Sequence, residues 1–388
     1  MNFRGYRRPD GRAGIRNYVL ILPTVGCASE TCRIIAGLVN GAVSLINQNG
    51  CGEVEGNLRQ TQTVLAGLAA NPNVYGTLLV GLGCELNLPD EMTAIIQSKT
   101  NKPLHKITIQ EEGGTVNTIL QAAKIAGRMV LDASACCTED IPVSDLMLGI
   151  ECGGSDATSG LVANPVLGNV SDRLIDIGGT AIFSETPEII GAEHILARRC
   201  STPAIGERLL SCCRKLEEDL QKVKENLRSG QPSPGNRAGG ISTLEEKSLG
   251  CIYKGGSKPI AEVIDCASQP KKKGLIFMDT PGYDLLSVTA KVAAGCQLIA
   301  FTTGRGNPIG NPIAPVLKVT ANEDTFAKMN DNMDMNLSPV LQGMTTIEEM
   351  GGQVFNEVLK IAGGKKTKAE IHGFGYGEIV IRRICDYV

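Results

Sequence analysis

The sequence predicts an α/β protein of two Rossmann-like domains, with mainly parallel sheets and helices on both faces. Four short apolar runs in the first third of the chain are each followed by a small-residue turn and an amphipathic stretch. Strand-then-helix units in series build a parallel sheet covered on both sides. The 388 residues, 42% of them hydrophobic and 20% charged, are enough for two substantial cores. The 46 glycines recur in pairs, among them 113–114, 153–154, 239–240 and 363–364; such pairs punctuate strands and helices, and their number implies several loops close to a ligand.

Taken in order, residues 1–16 are rich in Arg and Gly and lack periodicity, so they read as an irregular arm. Residues 18–22 (YVLIL) are the first strand, with Ser29 as the candidate cap of a helix to about 38. Strands follow at 43–46, 77–80 and 105–109, with helices near 58–69 and 91–97 and a long one ending at 126. This first domain is assigned residues 1–140. The second, 141–388, has strands at 146–150, 181–183, 275–278, 298–301 and 316–320. A helical insertion at about 202–270 starts with an amphipathic helix between Thr202 and Ser229, followed by an irregular loop at 230–240; a last helix runs near 347–361.

Composition narrows the function. No apolar run approaches the roughly 18 residues of a membrane span, and the start has no apolar segment of a signal peptide, so the expected location is the cytoplasm. A net charge of -3, with seven Phe, seven Tyr and no Trp, gives no footprint for nucleic acid. A small molecule is the expected ligand. Fourteen cysteines in so long a chain read as free thiols rather than a disulfide framework.

The stretch 146–160 (LMLGIECGGSDATSG) organises the candidate site, because ligands of open α/β sheets sit just beyond the carboxyl ends of strands. Glu151, Cys152, Ser155 and Asp156 fall there, although a capped Gly-rich turn explains the same residues without function. Cys27, Cys51 and Cys84 also follow strands. Three converging thiols suit an iron-sulfur cluster, thiolates mixed with carboxylates a single ferrous ion, and separate turn positions neither; no CxxC pair supports structural zinc. Glu185 ends another strand, before a turn in which Thr186 as helix cap and Pro187 as first helical residue account for Glu188 as a first-turn acid. His194 is a candidate base or ligand, with a surface position as the plain alternative, and Asp279 ends a third strand. After 298–301 comes TTGRGNPIG, where Gly304 and Gly306 can form a nest of N–H groups and Arg305 offers a fork for a carboxylate. It is no Walker loop, and no GxGxxG follows the first strand, which disfavours a dinucleotide enzyme.

Together these segments resemble the altronate and galactarate dehydratase family, which also contains the large subunit of sulfolactate sulfo-lyase. The matching stretches are GYRRPDGR at 5–12, NGCG at 49–52, GLGCE at 81–85, TIQE at 108–111, CGGSD at 152–156, SETPE at 184–188, PSPGN at 232–236, MDTPGY at 278–283, TGRG at 303–306 and GGKKT at 363–367. The resemblance implies a lyase using ferrous iron, or manganese, to eliminate water or sulfite next to a carboxylate. A sugar acid is the leading substrate, sulfolactate the runner-up, and a non-catalytic binding subunit the reading of another class. Single-chain members carry a small SAF domain ahead of the GYRRP-like start, so the resemblance implies a separate SAF-domain subunit; a homo-oligomer is expected as well. It points to Glu185, Asp156, His194 and Lys247 for catalysis, with Lys254 a further candidate base. Arg305, Gly304, Gly306, Ser155 and Asn236 are the substrate set, and Cys51, Cys84, Cys152 and Asp279 the metal set.

Overall fold

The computed structural model describes residues 1–375, 377–379 and 381. Strands β1 (Asn2–Arg7), β2 (Ala13–Gly14), β3 (Tyr18–Pro23), β4 (Ala42–Ser44), β5 (Ile46–Asn47), β6 (Val74–Gly81), β7 (Leu104–Thr108) and β8 (Glu139–Pro142) make up the first part of the chain. Four of them form a parallel sheet in the order β4-β3-β6-β7. Strand β3 is apolar on both faces because both faces are covered. Val19 and Ile21 pack with the helices Ser29–Leu38 and Thr115–Ser134, whereas Leu20 and Leu22 face Glu55–Ala70 and Pro89–Gln97. Ser29 is the first helical residue rather than the cap, and its hydroxyl instead accepts from Asn47 N at 3.0 Å.

The opening residues are a strand, not an irregular arm. β1 pairs antiparallel with β2 and with β8. Only Phe3 and Gly5 of β1 are buried, while Arg4 and Arg7 reach Asp140 and Glu139 at 3.4 and 3.0 Å, so charge masks the alternation.

The second sheet comprises β9 (Met147–Cys152), β10 (Thr180–Ser184), β11 (Ile260–Ile264), β12 (Gly274–Met278), β13 (Leu298–Thr302), β14 (Val316–Thr320) and β15 (Met335–Asn336). All pairs are parallel, in the order β11-β12-β10-β9-β13-β14-β15. The edge strand β11 escapes sequence reading because its middle residues are half-exposed and include Glu262. The insertion helix also ends early. It spans Pro203–Lys222, Lys224 turns left-handed at φ 59°, and the supposed loop holds a short helix, Pro234–Ala238, capped by Ser233. The chain leaves β9 for β10 on one side and later returns to β13 on the other. β9 is therefore the topological switch point, where a crevice opens beyond the carboxyl ends of the strands.

One apolar core runs from the helix Glu55–Ala70 into the helix Asp284–Ala293, so the two sheets share a packed seam. Asn71 Nδ2 donates to Val292 O at 2.7 Å, and Asn73 Nδ2 to Gln297 O at 2.8 Å. A final strand, β16 (Glu378–Ile379), pairs with β5. Arg16 braces the seam, meeting Glu370 through two hydrogen bonds at 2.6 and 2.9 Å and donating to Ile361 O and Lys365 O. Arg16→Ala should lower the unfolding free energy by about 1–3 kcal/mol, because it removes the ion-pair partner of the partly buried Glu370 and the donor to two carbonyls. A denaturant midpoint equal to the parent's would refute the brace. No helix among the described residues is long and apolar enough to cross a membrane.

Candidate active site

The centre is built from β9 outward. Gly149 and Glu151 lie on the face that meets the helix Asp284–Ala293. A β-carbon at Gly149 would stand 3.0 Å from Lys291 Cδ and 2.5 Å from Ile299 Cδ1, so the glycine leaves room for the lysine stem along the sheet. Ser287 and Lys291 are one turn apart on that helix. Ser287 Oγ donates to Glu151 Oε2 at 2.6 Å, and Lys291 Nζ bonds the same oxygen. Neither side chain of the Glu151–Lys291 pair has any exposed surface. Burial opposes ionisation of Glu151, but the charges of Lys291 and Lys254 hold its carboxyl below the ordinary range.

Beyond β10 stands Glu185, left-handed at φ 78°, a conformation that costs a residue with a β-carbon and persists only when its surroundings enforce it. Its backbone is fixed by Thr280, whose Oγ1 accepts from Glu185 N at 3.1 Å. Glu185 Oε2 is buried without a hydrogen-bond donor, 3.6 Å from Lys254 Nζ. Burial, then the charges of Glu151 and Glu188, push the Glu185 carboxyl well above its usual value. Glu188 is the opposite case. Burial opposes its charge, but Lys254 at 3.0 Å and Lys247 at 3.1 Å hold it far below the carboxylate range. Cys251 Sγ donates to the same Glu188 at 2.8 Å.

Asp284 completes the group. Burial and the neighbouring Glu151, Glu188 and Cys152 push its carboxyl up to about 7. Asn307 Nδ2 donates to it at 2.8 Å, and a β-carbon on Gly153 would meet its Oδ2 at 2.3 Å. Carboxylate oxygens of Glu151, Glu185 and Asp284 lie within 4.8 Å of one another, a spacing that could hold a metal ion. Alongside runs a cavity of about 170 Å3, walled by Glu185, Glu188, Lys247, Asn236, Ser233 and Asp284.

The residues singled out from sequence divide sharply. Glu185, Lys247 and Asn236 line the crevice, and Lys254 is buried beside it. Ser155 stands at its edge, its hydroxyl 3.1 Å from Cys152 Sγ and its carbonyl accepting from Asn236 Nδ2 at 2.9 Å. Asp156 has a structural setting. It accepts from Thr158 Oγ1, Ser159 N and Asn322 Nδ2 at 2.6, 3.1 and 2.9 Å. A β-carbon on Gly304 would come within 2.1 Å of its carboxylate. Gly306 turns at φ 86° and donates to Thr303 Oγ1, whereas the Arg305 side chain is exposed and its backbone N–H donates to Gly154 O at 2.8 Å. His194 is exposed on the short helix Glu193–Arg198.

The proposed metal set is not brought together. Cys27, Cys51 and Cys84 are exposed on first-domain loops, Cys152 is buried beneath the crevice, and Asp279 accepts from Thr186 Oγ1. Among the described residues no three of these groups bring donor atoms within 4.8 Å. Parallel strands end in loops that splay outward, so a thiol after each strand does not imply a shared centre. Thr186, bonded to Asp279, is not the helix cap either; Glu185 takes the capping position. Lys291, Asp284, Cys251 and Ser287 were missed. One signal did exist: Lys291 is the single charged residue between Asp284 and Gln297, and a lysine in such an apolar helix requires a buried acid.

Fold and site describe an α/β protein with a carboxylate–lysine cluster beside a crevice at the carboxyl ends of its second sheet. Residues 143–386 match the family model described as D-galactarate/altronate dehydratase, C-terminal, and residues 5–134 match D-galactarate dehydratase/altronate hydrolase, second domain. Altronate dehydratase of Bacillus subtilis is 35% identical over 393 aligned positions, covering 96% of this chain and 76% of the relative. The (2R)-sulfolactate sulfo-lyase subunit beta of Chromohalobacter salexigens is 36% identical, covering 99% and 98%. Galactarate dehydratase (L-threo-forming) of Escherichia coli is 34% identical, covering 94% and 73%. The chain belongs to the D-galactarate/altronate dehydratase family, and it is a lyase.

Proposed function

We propose that this chain is the large subunit of a metal-dependent hydro-lyase, which converts an altronate-like aldonate or an aldarate to a 2-keto-3-deoxy acid in the cytoplasm. The observation that carries the reading is the cluster of the buried Glu151 and Glu185 with the half-buried Asp284 against the crevice. A divalent ion fits it. Burial and the neighbouring carboxylates push the Glu185 and Asp284 carboxyls towards their protonated forms; a cation would offset that crowding and leave Glu185 ionised as a base, and hard oxygen donors suit Fe2+ or Mn2+. Glu151 and Asp284 would hold the ion, which supplies Lewis-acid stabilisation of the charge that develops on the substrate carboxylate. Lys247 Nζ, at the cavity wall, pairs with that carboxylate. Glu188 fixes Lys247 in place, and Ser233 and Asn236 orient the hydroxyls. Glu185 Oε2, which has no donor, takes the proton from the carbon next to the carboxylate and returns it to the hydroxyl leaving the next carbon.

The sulfo-lyase reading has its own support, since the Chromohalobacter subunit aligns over nearly its whole length. Its name, subunit beta, also supports a separate small partner here, for which we propose a SAF-domain chain; we propose that the large subunit self-associates. Anaerobic protein reloaded with Fe2+ or Mn2+, with and without that partner, should form a keto acid from altronate or galactarate and lose at least tenfold of its turnover on chelation. Sulfite released from sulfolactate, with no keto acid from either sugar acid, would overturn the hydro-lyase reading. Turnover indifferent to chelation would overturn the metal.

A further inference from the structure

The opposite, amino-terminal ends of the second sheet border a larger cavity of about 280 Å3, at the seam with the first domain. Pro72, Leu146 and Met147 supply an apolar surface, and Arg12, Lys271, Lys272 and Lys273 line the same space. Two of these cations are already engaged: Arg12 pairs with Asp10 at 2.6 Å and Lys273 with Asp145 at 3.5 Å. Asp145, the acid in the lining, also meets Arg7 at 3.0 Å. Lys271 and Lys272 have no acidic partner for their ammonium groups among the described residues; Glu262 takes only their backbone N–H groups, at 2.9 and 3.1 Å. Beside them Gln269 Nε2, which also belongs to this lining, is a buried donor with no acceptor. A buried amide donor without a partner is destabilising, so an acceptor that enters the cavity relieves a penalty already present. The turn leading in is strained too, with Ala267 left-handed at φ 61°.

Two free cations, an orphaned donor and an apolar wall in one cavity describe a ligand with an anionic head and an apolar body. We propose that this seam cavity binds a mononucleotide-sized organic phosphate, its phosphate against Lys271, Lys272 and the Gln269 amide and its apolar face against Pro72, Leu146 and Met147. Multiply charged phosphate suits clustered lysines better than a single carboxylate does. The ligand would touch both domains and stabilise the seam by mass action.

The probe is adenosine monophosphate, titrated calorimetrically into the full chain. Saturable binding is expected, weakened by salt and accompanied by a rise in Tm. The exposed pair Lys271→Gln/Lys272→Gln should weaken it at least tenfold without changing lyase turnover. Lys247→Met, in the other cavity, should leave it intact. Absence of saturable binding, equal binding by the double variant, loss of binding in Lys247→Met, or adenosine binding as tightly as its monophosphate would each overturn the proposal.

Discussion

Lys291→Met will destabilise the protein by about 3–5 kcal/mol, because it removes the one ammonium in direct contact with the fully buried Glu151. The side chain has no exposed surface, so solvent cannot replace the lost partner. Adding Glu151→Gln should restore most of the loss, since the second change removes the stranded charge and a methionine of similar length refills the space. Denaturant titration of both singles and the double measures the coupling. If the two losses simply add, the pair is not the electrostatic unit described above, and the lysine stem matters only as packing.

Glu185→Gln will lower kcat by about 10²–10⁴-fold while the protein remains folded. Glutamine keeps the size and the place beside Lys254, but it can neither accept nor return a proton. Circular dichroism and the thermal midpoint should stay near the parent's, because glutamine fills the same volume and Lys254 keeps Glu188 as its partner at 3.0 Å. Unchanged turnover in the complex with a small subunit would mean that this chain binds while another carries out the chemistry. A rise in KM with kcat intact would reassign Glu185 to substrate binding.

Much of the architecture could be read in advance because it rests on local pattern. Strands such as β3, β6 and β13 are buried on both faces, so they stand out as short apolar runs, and the glycine-rich turns mark where they end. Elements whose burial is mixed were not legible: β1 alternates arginines with a phenylalanine and a glycine, and β11 carries Glu262 at a half-exposed edge. Of the crevice lining, Glu185 was legible because it directly follows a buried strand. The site was not legible where two distant segments neutralise each other. The partner of Lys291 is identified only once Glu151 is placed beside it, and Asp156, a candidate from sequence, is held by Thr158, Ser159 and Asn322. Position after a strand could not distinguish the buried Cys152 from the exposed Cys51 and Cys84, because the loops that carry them lie on different sheets.

The crowding around Gly153 has a historical side. Each of the three nearest atoms that a methyl group there would strike belongs to Asp284. The glycine is therefore conditional: a lineage that shortened position 284 to serine would become free to carry alanine at 153, while one that acquired alanine first would pass through an impaired intermediate. Gly304 stands in the same relation to Asp156. Across relatives these two pairs should vary in concert and in a preferred order, so the identity at 153 reports whether a given chain still holds an acid at 284.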